Sequence, residues 1–201
     1  MVEKERVIMK HVILRIAGTF GSGKTTAMRE FLNGYPAEVL MKQNKIMGYK
    51  IDLTEAGIQA PAYVVGKYDN TCGGTDAIKT QAEIADKILK AHPYGHVLYE
   101  GALVSSSGLA GQVTQAVHPT GCDAYAFLDT PLEVCIERVK QRRLDAGNEK
   151  EFDPKNLEDK FQSVINCYRN LRAEGTYDVR LIDHNNPHPQ LLEIIREYEN
   201  A

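Results

Sequence analysis

The sequence of 201 residues has no apolar run near the ~20 residues that a membrane-spanning helix needs. Its charged first residues, 1–6, and the interruption of the next apolar stretch by Lys10, His11 and Arg15 are also unlike a signal peptide. We therefore expect a cytoplasmic protein that has no membrane partner.

Cysteine pairing, repeats and linkers are lacking as well. The four cysteines are scattered without a CxxC pair, which argues against a disulfide framework or a zinc site. No internal repeat and no Pro/Gly/Ser-rich linker interrupts the chain, so we expect residues 1–201 to form a single domain. The net charge of −3 excludes a generally basic surface, and any contact with nucleic acid must be local.

The most informative stretch is residues 18–25, GTFGSGKT. A strand-like apolar run, residues 11–17, precedes it, and a helix-like run, residues 26–32, follows it. Glycines allow backbone N–H groups to surround an anion, and the helix adds its positive end at the same point. The pattern predicts a phosphate site in which Lys24 contacts the β- and γ-phosphates and the Thr25 hydroxyl is a ligand for Mg²⁺. The candidate nucleotide-binding residues here are Gly18, Phe20, Gly21, Ser22, Gly23, Lys24, Thr25 and Thr26.

Strand-like and helix-like segments alternate along the rest of the chain, which is typical of an α/β fold with a parallel sheet covered on both faces. Two β-like stretches, residues 45–53 and 62–68, are close enough to form an antiparallel hairpin. We expect this hairpin to belong to an insertion, about residues 38–76, that faces the substrate.

Glu100 ends a buried strand-like stretch, residues 97–101. Enzymes with this kind of phosphate loop need a carboxylate at the tip of a neighbouring strand, either to hold Mg²⁺ through water or to accept the proton of an acceptor hydroxyl. Glu100 is therefore a candidate catalytic residue and, with Thr25, a candidate metal ligand.

Three arginines follow a helix start at residues 130–133, where Thr130 and Glu133 suggest a capping box. Arg138 and Arg142 are four residues apart on one helix face, and Arg143 is adjacent. Guanidinium groups beside the polar segment that follows suit a lid, about residues 138–156, that closes over a migrating phosphoryl group.

Together, residues 18–25, 97–101 and 127–143 resemble the P-loop nucleoside and nucleotide kinases, including their lid. This resemblance implies a P-loop kinase fold, ATP as the donor and Mg²⁺ as the cofactor. It also implies an adenine-binding loop at residues 184–187, with Asn185 and Pro187 in contact with the nucleotide.

The distribution of arginines bears on which acceptor the protein phosphorylates. No arginine occurs between Glu30 and Glu137, so the bidentate groups that would grip the phosphate of a free nucleotide acceptor are lacking. Residues 63–78, YVVGKYDNTCGGTDAI, resemble the bacteriophage 5-hydroxymethyluracil DNA kinases. That resemblance implies phosphorylation of the hydroxymethyl group of a base within DNA, and the base would have to leave the stack to react.

Several residues of this region are candidates for binding the acceptor or for removing its proton. Asp76 and Glu100 compete for the role of catalytic base, with Asp52 third, and Asp76 could equally be a helix cap. The candidate substrate-binding residues are Asp52, Lys67, Tyr68, Asn70, Gly73, Gly74 and Asp76. Lys42, Lys45 and Lys50 could follow a DNA backbone, or could simply belong to a solvated hairpin.

Two other functions remain open from the sequence. The protein could be a deoxynucleoside or nucleotide kinase that acts on free metabolites, which the missing arginines disfavour. It could instead be an ATP-binding switch module, which would need neither the lid nor an acceptor pocket.

Overall fold

A computed structural model describes residues 10–43, 45–69, 73–148 and 150–201. The candidate residue Asn70 lies outside these ranges. Within them, no helix is long and apolar enough to cross a membrane.

The described residues form one sheet surrounded by helices. Its strands are β1 (Ile13–Ala17), β2 (Ala37–Lys42), β3 (Lys45–Ile51), β4 (Ala62–Val65), β5 (His96–Glu100), β6 (Asp123–Leu128) and β7 (Asp178–Ile182). The helices are α1 (Lys24–Gly34), α2 (Gln81–Ala91), α3 (Ala102–Ser105), α4 (Gln112–Val117), α5 (Leu132–Asp145), α6 (Lys155–Glu174) and α7 (Pro187–Glu199). Short 3₁₀ turns lie at Thr54–Ala56, Thr75–Ala77, His92–Tyr94 and His118–Thr120.

The seven strands lie in the order β2-β3-β4-β5-β1-β6-β7. Strands β4, β5, β1, β6 and β7 are parallel, whereas β2 and β3 pair antiparallel with each other and β3 pairs antiparallel with β4. The α/β fold, the parallel core of the sheet and the antiparallel pairing of residues 45–53 with residues 62–68 are therefore confirmed. Strand β2 was not predicted, because five of its six residues are exposed and show no apolar alternation.

Helices cover both faces of the sheet. On one face α1 and α7 pack over the apolar side chains of β1, β5 and β6, with Met28 and Phe31 of α1 fully buried. On the other face α2 and α4 cover β4, β5 and β1, and α6 covers β6. These layers fix the carboxyl ends of β1 and β5 side by side, which is where ligands bind in open parallel sheets.

The capping box predicted at the start of α5 is wrong. Helix α5 begins at Leu132 with no side-chain cap, and the Thr130 hydroxyl instead donates a hydrogen bond to the Ser22 carbonyl oxygen at 2.8 Å. This buried contact ties the loop after β6 to the glycine-rich loop after β1.

Candidate active site

The glycine-rich loop after β1 leads directly into α1. Gly23 precedes the helix with φ of 101°, a left-handed conformation that glycine adopts without a Cβ clash. Gly23, the residue before α1, has no side chain that could cap the helix, so the first N–H groups of α1 need partners from outside the helix. Such a loop and helix end form an anion site.

Lys24 lies across this loop and is nearly buried. Its Nζ donates hydrogen bonds to the Gly18 and Thr19 carbonyl oxygens, at 2.9 and 2.8 Å. Burial lowers the pKa of Lys24, while the nearby Glu100 carboxylate acts in the opposite direction. The loop therefore holds a cation ready for phosphate at its centre.

Glu100 stands at the end of β5, beside the start of α1. The Thr25 hydroxyl donates a hydrogen bond to Glu100 Oε1 at 3.0 Å. Burial raises the pKa of Glu100 to about 7, although Lys24 and the Thr25 hydrogen bond lower it. A carboxylate and a hydroxyl this close are hard oxygen donors of the kind that suits Mg²⁺.

No group of three or more His, Cys, Asp or Glu side chains in the described ranges is arranged to hold a metal ion. An ion beside Thr25 and Glu100 would therefore take its other ligands from nucleotide phosphates and water. Mg²⁺ is commonly bound in this way, through one or two protein groups.

The backbone around Glu100 is fixed by its neighbours. The Thr75 hydroxyl donates a hydrogen bond to the Glu100 carbonyl oxygen at 3.0 Å. Gly74, with φ of 85°, is so close that a Cβ on it would lie 2.5 Å from Glu100 Oε1. The hydroxyl of Tyr68 is buried near the Glu100 carboxylate without a hydrogen bond of good geometry, and burial raises its pKa well above the ordinary value.

Asp76 lies across the cavity from the loop and caps a neighbouring helix. Its Oδ1 accepts a hydrogen bond from the backbone N–H of Ala102, the first residue of α3, at 2.7 Å. The helix that follows Asp76 in sequence, α2, is capped instead by Thr80. Asp76 therefore has a capping role, but its carboxylate caps α3 and not α2. Among the described residues, Oδ2 of Asp76 has no hydrogen-bond partner.

One cavity of about 740 Å³ joins these elements. Most of the predicted site residues line it, namely Phe20, Gly21, Ser22, Gly23, Lys24, Thr25, Thr26, Gly73, Asp76, Glu100, Arg138, Arg142, Asn185 and Pro187. Arg138 also donates a hydrogen bond to the Gly21 carbonyl oxygen at 3.3 Å, which brings α5 against the loop.

Six candidates among the described residues do not line this cavity. Gly18 lies behind the loop, where it borders a smaller cavity of about 90 Å³. Arg143 turns towards the segment after α5, where it donates to the Lys150 carbonyl oxygen and lies over the Phe152 ring. Asp52 accepts two hydrogen bonds from Thr54 in an exposed turn. The other three candidates that do not line the cavity are Lys67, Tyr68 and Gly74.

Two kinds of site residue were not predicted from the sequence. Arg29 and Glu30 line the cavity one turn along α1 from Thr25 and Thr26, so helical spacing could have indicated them. Lys160 of α6 donates hydrogen bonds to the Ala102 carbonyl oxygen and the Ser106 hydroxyl, and thereby anchors α3. No local pattern indicates Lys160, because its partners are more than 50 residues away in sequence.

A phosphate loop, a carboxylate at the next strand end and arginines on a helix above the loop define a P-loop kinase, which uses a nucleotide as phosphoryl donor. The comparisons with known proteins give the family. A sequence profile described as 5-hmdU DNA kinase matches residues 2–175, and the chain belongs to this family. The match includes the loop, Asp76, Glu100 and the arginines of α5, and ends before β7.

Individual relatives carry the same description. The chain is 34% identical over 174 residues to the 5-hmdU DNA kinase of Pseudomonas phage PaMx11, an alignment that covers 83% of this chain and 88% of the relative. It is 29% identical over 175 residues to the 5-hmdU DNA kinase of Pseudomonas phage M6, with the same coverage of 83% and 88%. Among solved structures, a gluconokinase from Sinorhizobium meliloti 1021 aligns with a TM-score of 0.40 at 18% identity, over 96% of this chain and 91% of that chain.

Proposed function

We propose that this protein transfers the γ-phosphate of ATP to the hydroxymethyl group of 5-hydroxymethyluracil in DNA, with Mg²⁺ as cofactor. The observation that carries the proposal is the meeting of Lys24, Thr25, Glu100 and Asp76 at one cavity, in a chain that belongs to the 5-hmdU DNA kinase family. The cavity volume suits a nucleotide together with an extruded base.

The donor half of the cavity would hold the triphosphate. The loop amides, the amino end of α1 and Lys24 provide positive charge for the phosphates. Asn185 and Pro187 also line the cavity, and the adenine would lie against them. Thr25 and Glu100 would hold Mg²⁺, which supplies charge neutralisation between the β- and γ-phosphates when it is bound. Arg138 and Arg142 would contact the transferred group.

The side of the cavity formed by Gly73, Asp76 and Ala102 would receive the nucleobase and supply the catalytic base. In the proposed reaction the hydroxymethyl oxygen bonds to the γ-phosphorus, the bond from that phosphorus to the bridging β,γ-oxygen breaks, and ADP leaves. The hydroxyl proton passes to a carboxylate. Because Glu100 is engaged with Thr25, we assign this role to Asp76, whose Oδ1 is held by the Ala102 N–H.

The acceptor assignment favours DNA over a free nucleotide. The arginines among the described cavity residues are Arg29, Arg138 and Arg142, which lie on α1 and α5 with the donor half. The lining residues that come from the turn before α2 and from α3, namely Gly73, Asp76 and Ala102, include no arginine that could bind an acceptor phosphate. A neutral hydroxyl acceptor fits these groups better.

The test supplies γ-labelled ATP and Mg²⁺ with four acceptors: DNA containing 5-hydroxymethyluracil, the same DNA containing thymine, the free nucleoside, and its 5′-monophosphate. We expect label on the modified DNA alone. Label confined to the nucleoside or monophosphate would contradict the proposal and support a kinase of free metabolites. ATP hydrolysis without labelling any acceptor would support a switch module.

The role of Asp76 has its own variant. In Asp76→Asn the side-chain oxygen can still accept the Ala102 N–H, so α3 keeps its cap while the proton acceptor is lost. We expect kcat on modified DNA to fall about 10²–10⁴-fold, the usual contribution of a general base, with ATP affinity unchanged. An unchanged kcat would remove Asp76 from the mechanism.

A further inference from the structure

The β2–β3 hairpin extends past the edge of the sheet at which the cavity lies. Gly48 of β3 is opposite Val65 of β4, and Val65 is opposite Tyr99 of β5. Residues 45–47 therefore continue beyond the last residue of β4, by about 10 Å at ~3.3 Å per residue. Lys42 of β2 is paired with Lys45 at this protruding end.

The protruding end is positively charged. Lys42 and Lys45 are exposed, and neither makes an ion pair with a described residue. The one acidic residue of the hairpin strands, Glu38, lies at the far end opposite Lys50. Because the whole protein has a net charge of −3, any attraction of a phosphate backbone must come from local groups such as this pair of lysines.

Apolar side chains are exposed on the same hairpin. Met41, next to Lys42, is 57% exposed, and Val39 is 46% exposed. Strand β2 is an edge strand with little packing on either face, so these residues contribute little to the core. Cationic and apolar groups together suit a nucleic acid, which offers phosphates beside sugars and bases.

We infer that the hairpin end formed by Lys42 and Lys45 is an arm that holds the DNA backbone beside the reacting base. The inference rests on the proposed function, since it takes DNA as the substrate. Strand β2 is three strand spacings from β5, so the arm lies roughly 15 Å from Glu100. At ~3.4 Å per nucleotide, the arm contacts phosphates about four or five nucleotides from the target base.

The double variant Lys42→Gln with Lys45→Gln removes both charges and keeps much of each side chain. The matched control is Lys10→Gln with Lys90→Gln. Lys10 precedes β1 and Lys90 lies in the last turn of α2, so both are exposed at the opposite edge of the sheet. Both double variants change the net charge equally.

Each variant is measured on a modified DNA of about twenty nucleotides and on a modified trinucleotide, which is too short to reach the arm. We expect the arm variant to raise KM for the long DNA about tenfold at low salt and leave its kcat unchanged. Its KM for the trinucleotide should equal that of the unaltered protein. The plot of log affinity against log salt concentration has a negative slope. Its magnitude should decrease by about two, one for each lost phosphate contact.

The inference is overturned if the arm variant leaves KM for the long DNA unchanged, or if the control variant raises it equally. Binding of unmodified DNA, measured by fluorescence anisotropy, separates the inference from the proposed function. If the unaltered protein phosphorylates no modified DNA yet binds DNA through these lysines, the proposed function fails and the arm stands. If phosphorylation occurs and DNA affinity is the same in both double variants, the arm fails and the function stands.

Discussion

At the scale of single residues, Glu100 lies in a buried environment that disfavours its charged form. Burial raises its pKa from an ordinary value of 4.5 to about 7. The folded protein therefore keeps this proton at pH values where the unfolded chain has released it. The stability that Glu100 contributes is present below about pH 4.5 and is lost as pH rises through about 7.

The variant Glu100→Gln tests this pH dependence of stability. Without ligands, we expect its Tm to exceed that of the unaltered protein at pH 8, by a few degrees, and the difference to shrink at pH 5. Kinase activity should fall about 10–100-fold, since this carboxylate is one of the two protein groups proposed to hold Mg²⁺. Thermal melts at both pH values and a Mg²⁺ titration of activity are the measurements. A Tm at pH 8 below that of the unaltered protein would contradict the account.

Adjacent arginines of α5 offer a second test at this scale. Arg142 lines the cavity, whereas Arg143 contacts Lys150 and Phe152 outside it. We expect Arg142→Ala to lower kcat about 10²–10³-fold, because a positive group facing the transferred phosphoryl group is lost. Arg143→Ala, the matched control, should change kcat less than threefold by the same reasoning. Equal losses in steady-state assays would contradict this assignment.

Sequence alone predicted Lys24, Thr25 and Glu100 at one cavity, because each follows from a local pattern at a strand end. It could not predict that Arg143 turns away, since the two arginines are neighbours and tertiary packing decides which one faces the cavity. The contacts that hold the segment after Glu100 are also non-local. Arg15, fully buried on β1 over the Tyr125 ring, donates a hydrogen bond to the Val104 carbonyl oxygen at 3.0 Å.

At the scale of elements, the turn before α2 is fitted against the end of β5. Gly74 has φ of 85° and ψ of −151°, a region that is essentially confined to glycine, and any Cβ there would collide with Glu100. This close approach explains why residue 74 is a glycine.

We expect Gly74→Ala to displace Glu100 and to reduce activity by at least about tenfold, with a stability cost of about 1–3 kcal/mol. The control is Gly57→Ala, at φ of 76°, where a Cβ would meet no atom within 4 Å. That variant should cost about 1–2 kcal/mol and leave activity intact. Denaturant titrations and kcat measurements, compared between the two variants, check whether Glu100 is the point of failure. Equal activity in both variants would show that it is not.

The elements themselves were predicted unevenly. The core strands were evident because their side chains are uniformly buried and read as apolar runs. Strand β2 was not evident from the sequence, because its residues are exposed and its extended conformation depends on pairing with β3. Thr130 looked like a helix cap, but its hydroxyl is used by the glycine-rich loop 108 residues earlier in the chain.

At the scale of the whole molecule, the mixed sheet has two regions, its parallel strands and the antiparallel β2–β3 hairpin. The five parallel strands carry the phosphate loop and Glu100 at their carboxyl ends, whereas the antiparallel hairpin extends beyond that edge. The same edge therefore presents a donor site near its centre and a positively charged arm towards one side. We expect these two regions to act together in the phosphorylation of a base within DNA.

The most direct measurement locates the transferred phosphate. Modified DNA is treated with the protein, labelled ATP and Mg²⁺, and is then digested with nucleases to nucleoside monophosphates, without any phosphatase. We predict label on the 5-hydroxymethyl oxygen of the uracil base, incorporated about 10²–10⁴-fold more slowly by Asp76→Asn. Label at the 5′ end of the DNA strand, or recovered only as inorganic phosphate, would contradict it.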